Sequence, residues 1–123
     1  MGVRKKSETE KAEGYLELGM FLDAWNSLEE LPPDERASPQ VFGFRVKILV
    51  ALKRLEAARI VAEGMERKFP QAPESWQALA LVLLAEGDKK NSKAALRKSF
   101  ELSPASRLVI LEDASFDEIW LNL

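Results

Sequence analysis

The sequence predicts an all-α protein: an α-solenoid of about three helical hairpins, closed by a short C-terminal capping helix. Three observations carry this. First, landmarks recur at a period of 34: Pro39 and Pro73, Pro70 and Pro104, Phe42 and Trp76, and the small residues Ala24, Ala58 and Ser92, with Gly19 and Gly87 two periods apart at 68. Second, apolar residues fall on helical stripes, as in Trp76, Leu79, Ala80 and Leu83 at i, i+3, i+4 and i+7, repeated one period earlier by Phe42, Val46 and Leu49. Third, proline, glycine and aspartate punctuate the stripes at the same register. A period of this length means stacked units that cannot bury their apolar faces alone.

The elements follow in order. Ser7 with Glu10 forms a capping box, which starts a helix over about 7–18. Gly19 ends it, and a second helix spans about 21–31 around Ala24, Leu28 and Leu31. PPDERASP, residues 32–39, reads as a loop between hairpins. Ser38 then caps a helix over 39–52 with Pro39 at its first position. Its partner covers 55–68, with Lys53 where the other units have a turn glycine. The third hairpin takes 73–86 and 90–102, joined by Gly87-Asp88. The run Ala78 to Ala85 has no polar residue, and a helix apolar all round must be covered on more than one side. Trp76 is assigned to the core by its stripe, and Trp25 to a half-buried site beside Ala24. After Pro104, Ser115 with Glu118 reads as another capping box. Phe116, Ile119, Trp120 and Leu123 then share one face and need covering, with Trp120 as the anchor.

A 34-residue hairpin with this pattern resembles the tetratricopeptide repeat, in the style of small bacterial members, and the resemblance covers most of the chain. Trp76, Leu79, Ala80 and Leu83 stand at the first-helix positions of its third unit, Gly87-Asp88 at the turn, and Ser92, Leu96, Ser99 and Pro104 along the second helix. The second unit offers Phe42, Arg45, Val46, Leu49, Ala58, Ala62, Met65 and Pro70. The first matches from its middle: Ala12, Tyr15, Gly19, Ala24, Leu28 and Leu31. Glu8 and Lys11 replace large apolar residues there, and Val46 replaces a small one. The resulting division is one domain over 1–123, with units at about 5–37, 38–72 and 73–106 and a cap at 107–123.

Composition narrows the chemistry. With no cysteine and no histidine, the chain lacks disulfides, thiolate metal sites and the commonest general base. No cofactor and no metal is expected, and the chain is not read as an enzyme: Glu112-Asp113 and Asp117-Glu118 have no nucleophile or electrophile near them in sequence. A formal charge of −2 argues against nucleic acid. Lys89, Lys93 and Arg97 do form one basic helix face, without interleaved aromatic residues for stacking bases. The N-terminal stretch MGVRKKSETEKAE lacks the apolar region of a secretory signal, and the longest apolar run is too short for a bilayer. A cytoplasmic chain with no membrane partner is expected, monomeric or weakly dimeric.

The resemblance implies a concave binding face lined by first-helix positions. By register these include Glu13 and Glu17, then Gln40, Phe44 and Lys47, then Gln77, Leu81 and Leu84. Relatives that clamp a peptide's terminal carboxylate need several cations there, and this face offers only Lys47. An apolar groove with an acidic N-terminal rim suits an amphipathic helix instead. The expected function is therefore a protein–protein interaction module, an adaptor or chaperone-like scaffold that takes a peptide or partner helix. A self-associating structural repeat is the second reading and an RNA-binding helical repeat the third. Whether the C-terminal segment covers Leu81 and Leu84 is left open by the sequence.

Overall fold

The computed structural model describes residues 7–120. Leu123, placed on the apolar face of the cap, lies outside them. The described residues form α1 (Glu8–Glu17), α2 (Phe21–Glu29), α3 (Pro33–Arg36), α4 (Pro39–Ala51), α5 (Leu55–Lys68), α6 (Pro73–Ala85), α7 (Lys89–Leu102), α8 (Ser106–Glu112), a 3₁₀ turn (Ala114–Phe116) and α9 (Asp117–Trp120), with no strand among them. α1 pairs with α2, α4 with α5 and α6 with α7, and α6 also packs on α4 and α5.

Small residues at the repeat positions let the paired helices approach. Ala24, Ala58 and Ser92 are fully buried, and so are Leu28, Ala62 and Leu96, each set at steps of 34. Ser92 is polar in that register, and its hydroxyl donates to the carbonyl of Ala80 at 2.7 Å, which removes the cost of burying it. Val46 is accommodated without exposure despite standing where a smaller residue is usual. The buried side chains fall into two clusters. One joins the second and third hairpins to the C-terminal segment; the other joins the first hairpin to Val41 and Ile48 of α4, and Trp25 packs against both. The Arg45 guanidinium lies 4.5 Å from the Trp25 ring centroid.

The three hairpin turns share one backbone solution. Gly19, Lys53 and Gly87 have φ of 75°, 62° and 86°. Only glycine enters that region freely, so Lys53 holds a strained conformation imposed by the repeat.

Three local expectations change. The stretch 32–39 is not wholly loop: Pro33 to Arg36 makes one helical turn, favoured by proline at its start and by Asp34 and Glu35 in its first turn. Trp76 is only half buried and belongs to neither cluster. Its indole N–H donates to the Pro70 carbonyl at 2.9 Å, so it clips the α5–α6 connection rather than filling the core. Ser115 is no helix cap. Asp113 takes that role, its side chain accepting from the Ser115 amide at 3.0 Å to open the 3₁₀ turn.

The C-terminal segment folds back on the third hairpin as expected, but its anchor differs. Phe116, Ile119 and Ile110 are buried in the cluster with Ala78, Leu81, Leu96 and Phe100, whereas Trp120 stays half buried. α8 begins as a fourth first helix and stops at Glu112 because the Asp113 turn redirects the chain inward. The carbonyls at the ends of α5 and α7, each already accepting a backbone N–H, show the difference in approach. The Ser75 hydroxyl lies 3.2 Å from the carbonyl of Met65 and 2.8 Å from that of Phe69. One period on, Ser99 and Ser103 are served by Ser106, at 3.0 and 2.6 Å, three residues earlier than the repeat would place it.

Candidate functional site on the concave face

Three helices and the C-terminal segment surround one concavity. Because α-helical side chains three and four apart share a face, α1 presents Glu13, Leu16 and Glu17, α4 presents Gln40, Phe44 and Lys47, and α6 presents Gln77 and Leu81. The fourth wall is 103–116, chiefly Val109, Asp113 and Phe116. Two adjoining clefts result, of ≈ 420 Å³ toward Pro73 and Ser106 and ≈ 760 Å³ toward Leu16 and Phe21. Their common boundary includes Glu13, Phe44, Lys47, Leu81, Val109 and Asp113.

A latch stands on that boundary. Lys47 Nζ is 3.3 Å from Asp113 Oδ2 and 5.8 Å from the Phe44 ring centroid. The other Asp113 oxygen, Oδ1, takes the Ser115 amide. Lys47, the one cation lining this face among the described residues, is thus directed at the C-terminal segment. Leu81 forms the floor and is 7 % exposed, covered by that segment. Leu84, assigned to the same face by register, lines neither cleft; it is half buried against the core cluster. The remaining register positions, Glu13, Glu17, Gln40, Phe44, Lys47, Gln77 and Leu81, do come together around the concavity. The sequence left open whether the C-terminal segment reaches this face, because 107–120 does not follow the repeat. Within the apolar run Leu108 to Leu111 only Ile110 is buried, and Val109 lines both clefts.

Residues 73–106 match the family model described as tetratricopeptide repeat. The chain carries a tetratricopeptide repeat. The match spans the third hairpin, α6 and α7, and the hairpins before it keep its period, its turn conformation and its helix pairing. No curated protein and no solved structure matches the chain. Tetratricopeptide repeats generally mediate protein–protein interactions and are typically non-catalytic.

The basic stripe on α7 is partly committed within the chain, Lys89 pairing with Glu118, and beside it Lys98 pairs with Glu101. Among the described residues, no group of three or more His, Cys, Asp or Glu is arranged to hold a metal ion, and no helix is long and apolar enough to cross a membrane.

Proposed function

We propose that this tetratricopeptide repeat chain is an adaptor or chaperone-like scaffold that binds a peptide or partner helix on its concave face. The observation that supports this most is the pair of clefts themselves. Apolar side chains of Phe44, Leu16 and Val109 line open space beside polar Gln40 and Gln77, the composition that recognition of an amphipathic segment needs. No step of the reading requires a cofactor or a catalytic group.

Gly43 offers a test. It lines the smaller cleft, and a Cβ added there meets nothing within 4 Å, so Gly43→Trp is expected to place its ring in the cleft, with an unchanged melting temperature as the check that the fold is kept. A photo-crosslinking residue at Gln77 is expected to capture a partner in the host, and Gly43→Trp to abolish the capture. A partner captured equally from Ile60, 64 % exposed on α5, and unaffected by Gly43→Trp, contradicts the reading. Self-association is the second reading, favoured by the exposed Leu108 and Leu111 on α8 and Leu18 and Leu22 at the first turn. Sedimentation across concentration separates the two.

A further inference from the structure

The concave face carries an unbalanced charge. Among the described residues, five carboxylates border the clefts, Glu13, Glu17, Glu74, Glu112 and Asp113, against the single cation Lys47. Lys47 is already engaged by Asp113. Glu13, Glu17, Glu74 and Glu112 make no ion pair with any described residue. They stand on both sides of the apolar floor: Glu13 and Glu17 one helical turn apart on α1, Glu112 across the larger cleft on α8, and Glu74 at the start of α6. Like charges facing one another across a cleft repel, and an occupant that supplies cations removes the repulsion while its apolar side is buried.

We infer that the groove is selective for a basic amphipathic helix of another protein. Its apolar stripe meets Phe44, Val109 and Leu16, and its lysines or arginines at i, i+4 spacing meet Glu13 and Glu17. The occupant is not an acidic peptide, because Lys47 cannot leave Asp113 without leaving that carboxylate, 16 % exposed, unpaired. This deepens the concave-face reading and rests on it.

The test uses the full chain and two synthetic amphipathic helices that share one leucine stripe, one carrying lysines on its polar face and the other glutamates. At moderate salt the lysine helix is expected to bind about tenfold or more tighter, the sum of several exposed ion pairs of modest strength. Glu13→Lys with Glu17→Lys, both exposed positions, is expected to erase or reverse that preference. Asp34→Lys with Glu35→Lys makes the same change in net charge away from the groove and is expected to keep it. Equal binding of both helices, lost in Gly43→Trp, overturns the charge selectivity and leaves the groove reading standing. Binding of neither helix overturns both. A preference that survives Glu13→Lys with Glu17→Lys overturns the assignment to this face, as does a groove occupied by a second copy of the chain.

Discussion

The first and third hairpins share one repeat and differ in how completely they are covered. α6 buries Ser75, Ala78, Ala80, Leu81 and Val82, while α1 buries only Ala12. α6 meets α4, α5 and α7 and shares a core cluster with the C-terminal segment, which together cover its run from Ala78 to Val82. α1 meets α2 and the edge of α4, and spends Glu8 and Lys11 on an ion pair at 3.0 Å. The turns differ likewise. Around Gly87, Glu86 pairs with Arg59 of the preceding hairpin and the Asp88 side chain accepts the Asn91 amide at 3.1 Å. Around Gly19, the equivalent Leu18 and Met20 are exposed and make no side-chain cap. The same hairpin pattern therefore yields a central unit and a terminal one according to neighbours.

The largest expected effect tests the cover itself. Phe116→Ala should cost about 3–5 kcal/mol, since it empties a fully buried aromatic site under α6 and α7, whereas Trp120→Ala should cost about 1–2 kcal/mol. Chemical denaturation of both variants checks the order, and equal losses would return the anchor to Trp120. The repeat-equivalent leucines come next. Leu96→Ala is expected to cost about 4 kcal/mol and Leu28→Ala about 2–3 kcal/mol, because the one-sided first hairpin relaxes around a cavity more easily. Equal values would erase the distinction between the hairpins.

A smaller effect concerns the turns. Lys53→Gly should stabilise by about 1 kcal/mol by relieving its left-handed backbone, and Gly87→Ala should destabilise by about as much. Melting temperatures moving in opposite directions verify the shared turn. The smallest effect is in pH. The hydrogen bond from Arg59 holds the Glu86 carboxyl below its usual range, so its contribution is present above the unfolded pKa and is lost as pH falls through the folded one. Glu86→Gln should therefore melt below the parent near neutrality and match it in strong acid. A gap that persists in strong acid would assign Glu86 a role other than charge.

How far the sequence reached follows from where the period holds. Gly19, Lys53 and Gly87, or Ala24, Ala58 and Ser92, could be placed from spacing alone, because every unit must solve the same packing problem. Glu13, Gln40, Phe44 and Gln77 reached the concave face by the same logic. Trp76 was misplaced because a stripe gives the side of a helix and not the depth, which here is set by the Pro70 carbonyl. Leu84 was misplaced because the far end of the α6 stripe turns toward the core rather than the clefts. Asp113 displaced Ser115 as a cap since an i to i+2 turn competes with a capping box over the same residues. The Lys47–Asp113 latch joins a repeat to a segment that does not repeat, and no period predicts such a contact.

Residue-resolved hydrogen exchange near neutral pH tests the central claim most directly. With α6 enclosed and α1 terminal, the amides in the middle of α6 and α7 should exchange only through global unfolding, and those of α1 on the order of a hundredfold faster or more through local opening. Protection in α1 equal to that in α6 would contradict the account.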